Sequence, residues 1–334
     1  MSTQSISWLF AGILISILTC CKEKATNTSA TPVHVSRTLA HKNSVPDIAQ
    51  SAYSHTAKIL EFGPRPPQSS ALAKVKQYCI SELKKHGWQT VEQEFQQQTP
   101  NGKLRFSNLI SRFTTKPGSS PWKRKVSCVL AAHIDSKILE DFVGADDAAS
   151  CVGSLLALAK YMSEHHPEIA AQVELVFFDG EEAIGPNMTY MGDGLYGSIY
   201  YSKMVQRSAA NQLSPYKSVP KFGIVLDMIA HKNLDIKIPS DTPTALAAAY
   251  DAARKKHGLE KHFDHSESAF LDDHYPMNAI AKIPTIDLIG DFFSNKWWHT
   301  SADSFDNLSV QSLEMSLLIA LEIMDNQFKH SEAQ

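Results

Sequence analysis

The sequence has few cysteines and almost no excess charge, and each shortage excludes a class of protein. Five of its 334 residues are cysteines. Cys20 and Cys21 lie near the amino terminus, and Cys79, Cys128 and Cys151 lie in apolar surroundings without metal-type spacing, so neither a disulfide framework nor a cysteine zinc site is indicated. The formal net charge is -3, so the basic surface of a nucleic-acid-binding protein is absent. With 43% hydrophobic and 20% charged residues, the composition indicates a globular protein with a substantial core.

The first 21 residues predict an export signal. The 13 residues 6–18 are almost wholly apolar, which is too short to span a bilayer comfortably but typical of a signal-peptide core. Cys20 and Cys21 follow, as in a bacterial lipoprotein signal, so we predict an exported protein anchored to a membrane by a lipid and facing the periplasm or the cell exterior. No Lys or Arg precedes the apolar stretch, and no Gly, Ala or Ser precedes either cysteine, so a plain cleaved signal peptide or a signal anchor stays open. Residues 22–46 are predicted to be a flexible tether.

Residues 47–330 predict a single α/β domain with a central, mixed, mostly parallel β-sheet flanked by helices. Helical periodicity covers residues 47–62, 69–86, 147–165, 242–257 and 310–328. An edge pair of strands is predicted at 89–95 and 105–113, and central strands buried on both faces at 126–132, 173–178, 222–226 and 284–289. In such a sheet, ligands bind at the carboxyl ends of the strands.

Polar clusters follow each predicted central strand or begin the helix after it. Their ionisable members are His133, Asp135, Asp146, Asp147, Asp179, Glu181, Glu182, Asp227 and His299. Each has a plain structural interpretation when taken singly: a helix cap for Asp147, a hydrogen-bonding histidine, or a solvated acidic turn for the two glutamates. Because all the clusters fall on one edge of the predicted sheet, we predict that they form one site.

The donor types in these clusters predict zinc. Carboxylates and imidazole without thiolate suit Zn²⁺, and a catalytic zinc needs three protein ligands and one open position. Asp147, Glu182 and His299 supply such a set. Neighbouring side chains in a tight turn point apart, so Glu181 is expected to face the reacting atoms as a proton carrier. Asp135 is expected to orient the imidazole two residues before it or a neighbouring group.

Six short motifs follow one another along the predicted domain. They are Ala-His-Ile-Asp-Ser-Lys (132–137), Gly-Ala-Asp-Asp (144–147), Phe-Phe-Asp-Gly-Glu-Glu-Ala (177–183), Leu-Tyr-Gly-Ser (195–198), Asp-Asp-His (272–274) and Trp-His-Thr (298–300). Together they resemble the motifs of the glutaminyl cyclases, which belong to a wider clan of zinc aminopeptidases. The first three and the final His-Thr are common to the clan. The 13 residues between Glu182 and Tyr196, the 272–274 triplet and the tryptophan before His299 favour the cyclases.

The resemblance implies an enzyme that converts the amino-terminal glutamine of a peptide or protein to pyroglutamate and releases ammonia. It implies one zinc on the three ligands named above, with Glu181 as general base and acid. Asp227 and Asp272 would form a hydrogen-bonded carboxylate network around Glu181. Trp298 and Phe293 would wall the substrate pocket and exclude water.

Two alternatives remain open from the sequence. The first is a zinc-dependent aminopeptidase with two zinc ions, because dizinc peptidases bind their second metal at the positions of His133 and Asp227, which cyclases keep without that metal. The second is a non-catalytic binding domain on the same fold. The sequence does not indicate an oligomeric state. Residues 184–188 lack the tryptophan that animal cyclases place there, and Trp297 and Tyr190 are the candidates to replace it.

Overall fold

The computed structural model describes residues 38–40, 43–114, 116, 118–213 and 215–332, with side chains to residue 330. The predicted signal segment, residues 1–21, lies outside this part of the chain. Among the described helices, none combines the length and the apolar character needed to cross a bilayer.

The described part of the chain contains one eight-stranded sheet with the order β1-β2-β4-β3-β5-β8-β6-β7. The strands are β1 (Trp88–Thr99), β2 (Gly102–Phe113), β3 (Cys128–His133), β4 (Val173–Phe178), β5 (Phe222–Asp227), β6 (Ile236–Ile238), β7 (Phe263–His265) and β8 (Thr285–Gly290). The four central strands β4, β3, β5 and β8 are parallel, and β1 and β2 form an antiparallel edge pair. The predicted mixed, mostly parallel sheet is therefore confirmed.

Helices cover both faces of the sheet. They are α1 (Val45–Leu60), α2 (Ser70–Lys85), α3 (Cys151–His165), α4 (Pro167–Ala170), α5 (Tyr196–Ala210), α6 (Thr244–His257), α7 (His274–Pro276) and α8 (Val310–Glu332). Alternate residues of β3 face opposite ways: Leu130 and Ala132 pack in the core cluster that contains α1, α3, α6 and α8, whereas Val129 and Ala131 pack in the cluster that contains α5. This double coverage explains why the central strands are continuous apolar runs.

The folded domain begins before residue 47. Leu39 is fully buried, and the backbone amides of Leu39 and Ala40 donate to the two carboxylate oxygens of Asp325, at 2.7 and 3.2 Å. The Tyr161 hydroxyl donates to the Leu39 carbonyl at 2.8 Å, and α1 starts at Val45. The carboxyl-terminal end of the predicted tether is therefore part of the domain, because its backbone hydrogen bonds are satisfied by buried side chains.

A buried ion pair joins the neighbouring strands β2 and β4. Arg112 on β2 and Glu174 on β4 are register partners, with Arg112 Nε 2.5 Å from Glu174 Oε2. The Tyr201 hydroxyl donates to Glu174 Oε1 at 2.7 Å, and the Tyr216 hydroxyl donates to the same oxygen. Glu174 is fully buried, so its charge depends on these three partners.

We expect Glu174→Gln to lower the free energy of unfolding by about 3–5 kcal/mol, because it leaves the Arg112 guanidinium buried without its counter-charge. Urea denaturation followed by circular dichroism measures this difference. The matched control is Glu61→Gln at the exposed Lys58–Glu61 pair, which should leave the midpoint unchanged. Equal midpoints for Glu174→Gln and the unmodified chain would contradict the claim that Glu174 stabilises the fold by pairing with the buried Arg112.

Candidate functional site

A cavity of about 290 Å³ lies at the carboxyl edge of the central strands. Eight predicted site residues line it: Asp147, Glu181, Glu182, Asp227, Asp272, Phe293, Trp298 and His299. The other two, His133 and Asp135, are buried close to these side chains. A larger groove of about 620 Å³ between α2 and the β1–β2 hairpin contains none of these residues. The structure thus gathers all the predicted site residues in one place.

The three predicted metal ligands point their donor atoms at one another. His299 Nε2 lies 3.2 Å from Glu182 Oε1 and 3.4 Å from Asp147 Oδ2. One ligand atom from each of the three side chains lies within 4.8 Å of the others. Such a cluster is the size of a single coordination sphere.

His133, Asp147 and Asp227 form a second group of the same kind. His133 Nε2 lies 3.0 Å from Asp147 Oδ1 and 3.4 Å from Asp227 Oδ1, and all three residues are buried. Asp147 belongs to both groups and offers a different oxygen to each. The edge of the sheet therefore presents two adjacent sets of donors that share one carboxylate.

Several buried donor atoms in this site lie near one another but form no well-aligned hydrogen bond in the part of the chain that is described. They include both ring nitrogens of His133, Asp147 Oδ2, Asp227 Oδ1 and Asp272 Oδ2. Buried polar atoms are normally hydrogen-bonded or bound to a metal. The donor set of carboxylates and imidazoles also suits zinc, so these residues fit a zinc ion on two independent grounds.

The charges of the site reinforce this fit. Burial lowers the pKa of His299, but Asp147 and Glu182 raise it more, to about 9. Burial raises the pKa of Asp147, but the imidazoles of His133 and His299 lower it to well below its usual range. The carboxylates of Asp147 and Glu182 therefore stabilise positive charge at the His299 ring, and a cation bound beside that ring would be stabilised in the same way.

The turn that carries Asp147 is not the start of a regular helix. We expected a helix from residue 147, but α3 begins at Cys151, and Asp147 has non-helical dihedrals of φ -102° and ψ 80°. The Asp147–Ala148 peptide bond is cis. Asp147 is therefore not the helix cap that its position allowed. Gly144 precedes this turn at φ +57°, where a Cβ atom would lie 2.0 Å from the Asp147 carbonyl oxygen.

Asp135 holds the two glutamates by their backbones. Its carboxylate oxygens accept from the amides of Glu181 and Glu182, at 3.2 and 3.4 Å. The nearest approach of Asp135 to the His133 ring is longer, 3.7 Å from Oδ1 to Nδ1. Of the two roles expected for Asp135, the structure favours support of a neighbouring group, because both oxygens face the acidic turn.

Glu181 lies among other carboxylates. Burial raises its pKa well above the ordinary value, and the charges of Glu182 and Asp272 add to the effect, while His133 opposes it. Burial also raises the pKa of Asp227, to about 7, with a further contribution from Asp272. A carboxyl group with such a raised pKa is suited to exchanging protons.

Aromatic side chains form one wall of the cavity. Trp298 stacks on the His299 ring with centroids 4.0 Å apart, and Phe292 packs on Trp298 at 5.0 Å. Phe293 lines the cavity but is 72% exposed, so it stands at the mouth rather than in the interior. Phe270 and Phe292, which the sequence analysis missed, supply the inner wall.

Neither aromatic proposed to replace the missing loop tryptophan reaches the cavity. Trp297 is buried against the His231 ring, with centroids 4.6 Å apart, and Tyr190 packs on Tyr275. The structure also adds Lys137, whose Nζ lies 3.2 Å from Glu182 Oε2 and donates to the Ala183 carbonyl at 3.0 Å. The one sequence signal for Lys137 is its position at the end of the motif formed by residues 132–137.

Comparison with known proteins agrees with this geometry. The model of peptidase family M28 matches residues 108–324. A glutaminyl-peptide cyclotransferase of Bos taurus is 30% identical over 265 residues, which cover 68% of this chain and 68% of that protein.

Two solved structures have the same fold. A Bacteroides thetaiotaomicron glutaminyl cyclase bound to N-acetylhistamine has 27% sequence identity and a TM-score of 0.69, covering 82% of this chain and 96% of that one. A Zn-dependent exopeptidase from Parabacteroides distasonis has 29% identity and a TM-score of 0.69, covering 82% and 97%. The chain therefore belongs to peptidase family M28, and within its zinc aminopeptidase-like fold it is a member of the glutaminyl cyclases.

Proposed function

We propose that this protein is a glutaminyl-peptide cyclotransferase, which converts amino-terminal glutamine of peptides or proteins to pyroglutamate and releases ammonia. The observation that carries the proposal is the division of the acidic turn. Glu182 points its Oε1 at His299, whereas Glu181 faces the same cavity that Asp227 and Asp272 line. The names of its relatives support the same reaction.

One zinc ion would be held by Asp147, Glu182 and His299, the three residues whose donor atoms converge on the cavity. When bound there, it supplies positive charge that stabilises the negative charge developing on the substrate's side-chain carbonyl oxygen. Lys137 pairs with Oε2 of Glu182, which leaves Oε1 for the metal.

Glu181 would carry the proton of the reaction. The substrate's α-amine attacks its own side-chain amide carbon, so a C–N bond forms in a five-membered ring and the bond to the amide nitrogen breaks. Glu181 takes a proton from the amine and gives it to the departing nitrogen, which leaves as ammonia. Asp227 and Asp272 line the same cavity as Glu181. Burial and the negative charges of Glu182 and Asp272 favour the state in which Glu181 holds the proton.

The aromatic wall would orient the substrate. Nucleophile and electrophile belong to the same glutamine, so cyclisation depends more on holding them together than on activating either. Trp298, Phe292 and Phe270 line the cavity and present apolar surface to the substrate. Excluding water from this wall disfavours hydrolysis.

A zinc aminopeptidase is the second candidate function. The observation that favours it is the group formed by His133, Asp147 and Asp227, which offers a second set of donors within 4.8 Å. One of the similar structures is also named a Zn-dependent exopeptidase. A second zinc on this group would distinguish the peptidase from the cyclase.

We expect purified protein to release ammonia from peptides that begin with glutamine and to leave their length unchanged. Coupled ammonia detection and mass spectrometry of the same reaction measure both outcomes. Aminoacyl chromogenic substrates serve as the control for peptidase activity and should not react. Release of a free amino acid without ammonia would overturn the cyclase assignment in favour of the aminopeptidase.

The two adjacent glutamates should separate in a metal assay. We expect Glu181→Gln to retain one zinc per chain and lose turnover, because Glu181 would move protons without coordinating the metal. Glu182→Gln should lose zinc, because it removes one of three ligands. Inductively coupled plasma mass spectrometry of the dialysed variants measures their zinc content. An equal loss of zinc in both variants would contradict the proposed division of roles.

We also propose export and a lipid anchor at Cys20 or Cys21, supported by the amino-terminal sequence. Fractionation of cells that express the full chain should place the protein with membranes. Replacing both Cys20 and Cys21 with serine should move it to the soluble exported fraction, because a single acylated residue would provide the anchor. Replacing Cys79 with serine is the control. A doubly substituted protein that stays with membranes would contradict the lipid anchor and favour a signal anchor.

A further inference from the structure

Asp303 joins the loops of two proposed metal ligands. It follows His299 by four residues, and its side chain reaches the turn that carries Asp147. Asp303 Oδ1 accepts from the Asp146 amide at 2.7 Å, and Oδ2 accepts from the Asp147 amide at 3.1 Å. The Asp303 carbonyl oxygen also accepts from the Ala145 amide at 3.4 Å. One buried residue therefore binds three consecutive amides of the neighbouring turn.

Asp146 continues the connection to a third loop. Its carboxylate accepts from the amides of Ala230 and His231, at 2.8 and 2.9 Å, just beyond Asp227 at the end of β5. Its Oδ1 also accepts from the Ser150 hydroxyl at 2.7 Å. The loops of His299, Asp147 and Asp227 are thus linked in series by two buried carboxylates.

The position of Asp147 depends on these links more than on the helix after it. The dihedrals of Asp147 and Ala148 are not helical, so the hydrogen bonds of α3 do not fix the Asp147 side chain. Two N–H groups that point at one carboxylate form a charge-assisted pair, which is stronger and more directional than neutral hydrogen bonds. Asp303 therefore fixes the backbone from which Asp147 projects.

We propose that Asp303 is a positioning residue that holds the Asp147 carboxylate against His299 and thereby sets the affinity of the site for zinc. The inference rests on the zinc ligands of the proposed function and not on the cyclisation reaction. Supporting carboxylates of this kind typically change metal affinity by about 10- to 100-fold when removed.

Asp325 provides a matched control within the same chain. It is buried like Asp303, and its two carboxylate oxygens accept from the consecutive amides of Leu39 and Ala40, at 2.7 and 3.2 Å. It lies on α8 and does not line the cavity. The two aspartates therefore make the same kind of contact and differ in the segment that they hold.

The test compares Asp303→Asn with Asp325→Asn in the full chain. Zinc affinity is measured by competition with a chromogenic chelator, the apo proteins are melted, and the visible absorption of the Co²⁺-substituted proteins reports ligand geometry. We expect both variants to melt earlier than the unmodified chain. Only Asp303→Asn should raise the Kd for zinc, by about 10- to 100-fold, and alter the cobalt spectrum.

A second variant separates positioning from simple packing. Asp303→Glu keeps a carboxylate within reach of the two amides and should recover part of the zinc affinity that Asp303→Asn loses. If Asp303→Asn fails to fold, Asp303→Glu still tests the proposal, because its zinc Kd and cobalt spectrum should differ from those of the unmodified chain. A zinc Kd and cobalt spectrum unchanged in the folded Asp303 variants would overturn the proposal. The zinc measurements use no substrate. A chain that binds zinc but cyclises no glutamine would therefore overturn the proposed function and not the role of Asp303. An unmodified chain without affinity for zinc would overturn the role of Asp303.

Discussion

Buried aspartates that each accept from two consecutive backbone amides hold the functional edge of this sheet. Asp135 binds the amides of Glu181 and Glu182, and Asp303 binds those of Asp146 and Asp147. The loops at this edge carry charged side chains at high density, and they have no regular secondary structure to fix them. A carboxylate bound by two amides satisfies its own charge and the backbone at once.

This arrangement explains how the site tolerates so many buried acids. One set of carboxylates, including Asp135, Asp146 and Asp303, faces backbone amides. The other set, including Asp147 and Glu182, faces the cavity and the imidazole of His299. The first set fixes the geometry of the second, whose donor atoms converge on the cavity where a cation can bind.

Much of the fold and of the site composition follows from the sequence. The central strands are apolar because helices cover both faces, and this pattern is visible without coordinates. The helix α5 has no start signal in the sequence, because Leu195 stands at its N-cap without a side-chain cap and Gly197 lies in its first turn. The strands β6 and β7 have only three residues each, too few to show a period. The contacts of Asp303 are not predictable from the sequence, because its partners lie 156 and 157 residues earlier and no local pattern records them.

The central claim is that one metal binds at Asp147, Glu182 and His299 while Glu181 stays free to move protons. The most direct test is a crystal of the zinc-loaded protein measured on both sides of the zinc absorption edge. The account predicts a single anomalous peak about 2.0–2.2 Å from one donor atom of each of the three ligands. A peak coordinated by Glu181, or a second peak between His133 and Asp227, would contradict it.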